Sequence, residues 1–184
     1  MQDEILTFWF GEEPGPEREV WFRQDDAFDA AIHARFADAI ATALTGGFGD
    51  WTSTPRGALA RIILLDQFTR NAFRDTPRAF AGDDQALAAA RDAVGRGFAG
   101  LLTLVERWFL YMPFQHAEDR DTQARSVVLF TDLAGAGLPG PLEYARRHAE
   151  VIARFGRFPH RNAILGRPST PDEIAFLREP GSRF

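Results

Sequence analysis

Apolar residues recur every three to four positions along most of the chain, which is the spacing of one face of an α-helix. The longest such series contains Phe28, Ile32, Phe36, Ile40 and Leu44. Alternating β-branched residues, which are typical of strands, are almost absent. The pattern predicts an all-α fold of about seven to nine helices, stacked as antiparallel helical hairpins. We expect a single helical domain over residues 1–184.

Capping residues mark several expected helix starts. Asp25 or Asp26 precedes the long apolar series, and either side chain can accept a hydrogen bond from a free amide of the first turn. Thr54 precedes Pro55, a residue suited to the first helical position. The other marked starts are Asp83 and the capping-box pair Thr170 and Glu173.

Two segments are apolar on nearly every side and are expected to form the centre of the core, namely Ile62–Leu65 and Leu101–Met112. The residue that follows the second segment is Pro113. Because proline has no backbone N–H and clashes with the preceding turn, we expect the helix to kink or stop there.

Composition narrows the chemistry that the chain can perform. There is no cysteine, which excludes disulfides, thiolate nucleophiles, iron–sulfur clusters and thiolate zinc sites. All 21 basic residues are arginine, so the chain lacks both a Schiff-base lysine and the lysine of a P-loop. We expect no cofactor.

The charge balance argues against two classes of partner. Twenty-six acidic residues outnumber 21 arginines, for a net charge of −5, which disfavours nucleic-acid binding. No apolar run approaches the roughly 20 residues that span a membrane, and Asp3 and Glu4 lie where a secretion signal would be positively charged. We expect a cytoplasmic protein that binds neither nucleic acid nor membrane, and the sequence leaves its oligomeric state open.

A first polar segment follows directly on the buried run at Ile62–Leu65. Its helical spacing places Gln67, Arg70, Asn71 and Arg74 along one face, and Asp66 within reach of Arg70. Since unpaired buried charges are costly, these side chains need partners. Two interpretations stay open, an internal ion-pair network and a cleft wall that presents arginines to a carboxylate or phosphate.

A second segment surrounds the proline bend. Tyr111 can supply an aromatic wall, while His116 and Glu118 follow the proline. Histidine titrates near neutrality, and a neighbouring carboxylate can orient its ring. We therefore weigh general acid or base catalysis by His116, assisted by Glu118, against a structural histidine that braces the bend.

A third segment carries several cations on an irregular turn. Gly156 and Pro159 break the preceding helix. The turn that they form carries Arg157, His160, Arg161 and Asn162. They either bind an anion or pair with the acidic residues of the first two segments. Histidine spacing typical of zinc sites does not occur, so we expect no metal.

Three motifs carry a family resemblance. LLDQFTRNAFR begins at Leu64, YMPFQHAED at Tyr111 and RFGRFPHRNAILGR at Arg154. With them, nearly the whole chain resembles the DUF924 family of uncharacterised bacterial proteins, which is similar to the tetratricopeptide-like helical superfamily. The resemblance implies a right-handed stack of antiparallel helices and no established activity.

Three hypotheses about function follow. In the first, the arginines of the segments bind a small anionic metabolite and His116 performs acid–base chemistry. In the second, a concave face of the helical stack binds a peptide or protein. In the third, the segments form a structural polar network. Seven arginines outnumber the carboxylates of Asp66, Glu118 and Asp119 in these segments, which favours the anionic ligand if the segments converge.

Overall fold

The computed structural model describes residues 1–12 and 17–182. Within these ranges the chain forms helices and no strand, so the predicted all-α class is confirmed. The α-helices are α1 (Gln2–Phe10), α2 (Asp26–Leu44), α3 (Pro55–Ile62), α4 (Thr69–Ala72), α5 (Asp83–Gly95), α6 (Leu104–His116), α7 (Arg120–Gly135), α8 (Gly140–Phe155) and α9 (Pro171–Phe176). Short 3₁₀ turns connect many of them.

The expected caps start several helices. The Asp25 carboxylate accepts a hydrogen bond from the Phe28 amide at the start of α2, and Thr54 does the same for α3. Thr170 and Glu173 form the reciprocal capping box at α9. Each contact pairs an amide that has no partner within the helix, which fixes where the helix begins.

Helix α6 does not stop at Pro113, although a stop was one of the two outcomes expected from the sequence. Instead of stopping, the helix continues to His116. Proline's fixed φ is compatible with helix, and the missing N–H removes a hydrogen bond without ending the turn. The continuation carries Gln115 and His116 into the interior at the end of a buried helix.

A π-helical segment, Ile63–Phe68, joins α3 to α4 and was not expected from the sequence. All its residues are buried. Gly82, just before α5, packs against it so closely that an added Cβ would lie 2.2 Å from the Leu65 carbonyl oxygen. The wider π turn therefore places the Asp66 side chain next to the start of α5 and the end of α6.

Aromatic rings fill the main core between α1, α2, the π-helical segment and α6. Trp9 contacts Phe68 at a ring-centroid distance of 5.8 Å and Phe109 at 5.5 Å. Phe36 packs 4.9 Å from Phe68 on the other side. Helices α6, α7 and α8 pack side by side on the remaining part of the domain. No helix within the described residues is long and apolar enough to cross a membrane.

Candidate functional site

Asp66 and His116 form the centre of the site. Asp66 is fully buried in the π-helical segment, and its Oδ1 atom lies 2.7 Å from Nδ1 of His116. The same carboxylate lies 3.1 Å from Arg70 Nη1 and accepts a hydrogen bond from the amide of Gln67. Three polar side chains thus surround one buried carboxylate.

Burial and charge act in opposite directions on this pair. Burial raises the pKa of the Asp66 carboxyl, but the charges of Arg70 and His116 and the hydrogen bonds from His116 and Gln67 outweigh burial and hold the pKa well below its usual range. Burial lowers the pKa of His116, and the charge of Asp66 offsets this only in part. Near neutral pH the carboxylate is therefore ionised and the imidazole neutral, which favours a proton on Nδ1.

The neutral ring keeps a lone pair on its other nitrogen. With Nδ1–H donated to Asp66, Nε2 of His116 is unprotonated, and no hydrogen bond joins it to a residue in the described part of the chain. This is the arrangement of a general base whose tautomer is fixed by a buried carboxylate.

A second acidic residue, Asp83, connects two arginines to the site. Arg70 donates to both carboxylate oxygens of Asp83 at 2.8 and 3.0 Å, and Arg161 donates to Oδ2 at 3.2 Å. Arg161 also donates to the backbone oxygen of His116 at 3.0 Å. The ring of Phe80 contacts both guanidinium groups. Arg161 therefore fixes the end of α6, where the backbone oxygens have no partner within the helix.

His116 and Arg161 line an open cavity of about 450 Å³. Its walls come from the turn before α5, from α5 itself, from the junction of α6 and α7, and from the C-terminal segment. The polar or charged lining residues are Asp83, Asp84, Arg91, His116, Glu118, Asp119, Thr122 and Arg161. The volume is within the range of small-molecule sites, which is roughly 300 to 1,000 Å³.

Two residues of the first motif lie away from this centre. Asn71 Nδ2 donates to Asp29 of α2 at 2.7 Å, and Arg74 binds the same carboxylate with Nε at 2.8 Å and Nη2 at 3.1 Å. Neither residue lines the cavity beside His116. The first motif is thus divided between the site, with Asp66, Gln67 and Arg70, and a tie between α4 and α2.

Glu118 does not contact the ring of His116 in the structure. It accepts hydrogen bonds from Arg167 at 2.6 and 2.9 Å and from the Phe158 amide at 2.7 Å. Burial raises the pKa of Glu118, but these donors outweigh it and lower the pKa. Asp66, rather than Glu118, is the carboxylate that orients the histidine.

The third motif is divided in the same way. Arg157 binds Glu173 at 2.6 and 2.8 Å, and Asn162 donates to Ser169 at 3.0 Å. Burial lowers the pKa of Arg161 to about 10. Among these residues, Arg161 is the one that reaches both the cavity and His116.

Tyr111 and His160 occupy neighbouring positions. Tyr111 is buried and its ring packs 6.0 Å from that of Phe130, outside the cavity lining. The ring of His160 lies 5.7 Å from that of Phe158. Burial lowers the pKa of His160 to about 3, so this ring is neutral near pH 7.

Sequence reasoning missed the acidic partners of the motifs. Asp29, Asp83 and Glu173 each bind arginines of the motifs, although Asp83 and Glu173 were interpreted only as helix-start residues. One signal was available: Asp83, Leu87 and Arg91 are four residues apart and all line the cavity from one face of α5. Within residues 1–12 and 17–182, no group of three or more potential metal ligands comes together.

Comparison with known proteins gives a family and one solved structure. The family model of bacterial proteins of unknown function, DUF924, matches residues 5–181. A protein of unknown function from Agrobacterium tumefaciens, ATU0120, is 39% identical, with a TM-score of 0.87 over 96% of each chain. No curated protein matches. Because the family model spans nearly the whole chain, the chain belongs to the DUF924 family.

Proposed function

We propose that the protein is an enzyme that binds a small anionic metabolite in the cavity at the α6–α7 junction and uses His116 as its acid–base group. One observation carries the proposal: His116 lies at the cavity wall with Nδ1 2.7 Å from the buried Asp66 carboxylate. Such a pair fixes the tautomer and leaves Nε2 as the base.

The surroundings of the pair support this role. Arg161 holds the backbone of His116, and Asp83 holds Arg161 and Arg70. The ring is thus fixed from its side chain and from its backbone before a ligand arrives. Preorganisation of this kind lowers the reorganisation needed during a proton transfer.

The sign of the ligand's charge rests on the cations at the cavity. Arg161 is neutralised by Asp83, whereas Arg91 has no carboxylate within 4.0 Å in the described part of the chain and donates only to Thr122 at 2.7 Å. Of the two arginines in this cavity wall, Arg91 is therefore the one without a carboxylate in direct contact among the described residues, and we assign it to a phosphate or carboxylate of the ligand. We also propose a cytoplasmic location, which agrees with a small metabolite as the ligand.

The first experiment is a thermal-shift screen of the purified protein against phosphorylated, carboxylated and nucleotide metabolites. A ligand at 100 times its dissociation constant stabilises a protein by about 2.7 kcal/mol, which raises the melting temperature of a domain of this size by roughly 5 to 10 °C. We expect hits confined to one class of anion. A flat panel would favour the alternative, a helical module that binds peptides or proteins.

The catalytic role is then tested on each hit with two histidine variants. His116→Gln should lower conversion of the hit at least about a hundredfold while its affinity stays within about tenfold, because a base acts mainly in the transition state. His33→Gln, on the exposed face of α2, is the matched control and should convert normally. Equal loss of binding and conversion in His116→Gln would show that the residue is structural.

A further inference from the structure

The cavity beside His116 adjoins a second cavity of about 460 Å³. Both cavities share Arg91, Asp119 and Thr122 in their walls. Because these residues belong to the walls of both, the two cavities are neighbours along α5 and the start of α7.

Two arginines line the second cavity from neighbouring helices. Arg91 of α5 donates to the hydroxyl of Thr122 on α7 at 2.7 Å. Arg125 lines the second cavity and follows Thr122 by three residues, which places the two side chains next to each other on the helix surface. Arg91 and Arg125, both exposed, therefore border the same cavity from α5 and α7.

These arginines differ from most arginines of the three motifs. Arg70, Arg161 and Arg157 each bind a carboxylate of the protein. In residues 1–12 and 17–182, no carboxylate lies within 4.0 Å of the guanidinium group of Arg91 or of Arg125. Asp119 and Asp121 also line the second cavity. Hydrogen bonds from Thr122, and after them the charge of Arg91, lower the pKa of the Asp119 carboxyl.

We infer that Arg91 and Arg125 form the subsite for a phosphate or carboxylate group at the far end of the ligand, beyond the part that reaches His116. The inference rests on the proposed function and makes it more specific, because it names an elongated anionic metabolite. Two guanidinium groups on one anion provide the paired, charge-assisted hydrogen bonds that phosphate and carboxylate groups accept.

The test uses inorganic phosphate and acetate as probes of the full-length protein. Binding is followed by NMR through the side-chain Nε–H signals of the arginines, at constant ionic strength. We expect saturable shifts of the Arg91 and Arg125 signals, and phosphate binding that is at least about tenfold weaker in Arg91→Gln and in Arg125→Gln. The relative affinities of phosphate and acetate show which end group the subsite prefers.

Arg146→Gln is the matched control, because Arg146 is exposed on α8 and lines neither cavity. It should bind phosphate as the wild type does. The subsite is overturned if the wild type shows no saturable shift, or if Arg91→Gln, Arg125→Gln and Arg146→Gln bind phosphate equally well. Circular dichroism verifies that the variants are folded.

His116→Gln separates this inference from the proposed function. Phosphate alone contacts the arginine pair, so His116→Gln should bind it normally. If His116→Gln loses conversion of a metabolite while phosphate binding does not depend on Arg91 or Arg125, the acid–base role is supported and the subsite is refuted. If phosphate binding depends on both arginines while His116→Gln converts normally, the subsite stands without the catalytic role.

Discussion

Nδ1 of His116 lies 2.7 Å from Oδ1 of Asp66, although the two residues are 50 positions apart in the chain. Asp66 is held in the π-helical segment and His116 at the last residue of α6. The pair is therefore the product of two local irregularities, a widened turn and a helix that continues past a proline. Neither irregularity is needed for a helical core, and π turns occur frequently at functional sites.

Removing the charge of Asp66 should affect both stability and the histidine. In Asp66→Asn we expect the free energy of unfolding to fall by about 3 kcal/mol, because Arg70 loses a buried partner. The pKa of His116 should fall further, because the variant lacks the charge of Asp66, which raises this pKa in the wild type. Urea unfolding and an NMR titration of the imidazole measure the two effects.

Asp92→Asn is the control for that substitution. Asp92 pairs with Arg96 on the surface, where its side chain is 52% exposed, so we expect a loss below about 1 kcal/mol. A raised or unchanged pKa of His116 in Asp66→Asn would contradict the assignment of Asp66 as its partner.

Two buried histidines should make the protein less stable in mild acid. Burial lowers the pKa of His148 and of His160 to about 3, from an ordinary value of 6.5. Below pH 6.5 the unfolded chain binds protons that the folded protein does not, so stability decreases as the pH falls. Each ring contributes a slope that reaches about half of 1.4 kcal/mol per pH unit at pH 6.5 and roughly the full 1.4 kcal/mol per pH unit by about pH 5.5.

Urea unfolding at a series of pH values tests this dependence. His148→Gln should remove about half of the slope that the two rings contribute, whereas His33→Gln, at an exposed position, should leave it unchanged. Measurements above pH 5 keep most carboxylates ionised. Glu173 is one of them, because hydrogen bonds from Arg157 are the main cause that lowers its pKa to about 2. An equal slope in all three proteins would refute the burial of neutral rings.

The contact between Gly82 and the π-helical segment should tolerate no side chain. In Gly82→Ala the new Cβ would lie 2.2 Å from the Leu65 carbonyl oxygen, and backbone atoms must move to relieve it. We expect a loss of about 2 kcal/mol or more in the free energy of unfolding. Gly95→Ala, where no atom lies within 4 Å of the added Cβ, should be neutral or slightly stabilising. Similar losses at both positions would argue against the close approach.

Arg74 should contribute to stability and not to ligand binding. Its guanidinium binds Asp29 of α2 and does not line the cavity. Arg74→Ala should lower the free energy of unfolding by about 1 kcal/mol, because the side chain is partly exposed. The affinity for a metabolite hit should be unchanged in a titration in which Arg91→Gln binds more weakly. A comparable loss of affinity in Arg74→Ala would show that Arg74 belongs to the binding site.

Local sequence patterns determined the helices of this protein. Asp25, Thr54 and the pair Thr170 and Glu173 marked helix starts, and the apolar run Ile62–Leu65 indicated a buried segment. These features could be predicted because capping and amphipathic periodicity act over only a few residues. Asp66 and Arg70 could be predicted because polar residues beside a buried run need partners. His116 was indicated by the proline bend, and Arg161 by the cations on an irregular turn.

Tertiary structure decided which of those residues meet and what they can do. Arg161 reaches Asp83 across 78 positions, and Arg74 reaches Asp29 across 45. Spacing along one helix carries no information about such pairs, since they depend on how helices pack. For the same reason the sequence showed only an excess of arginines in the motifs. Helix packing brought the carboxylates of Asp29, Asp83 and Glu173 to these arginines. It left Arg91 and Arg125 without a carboxylate partner in the described part of the chain.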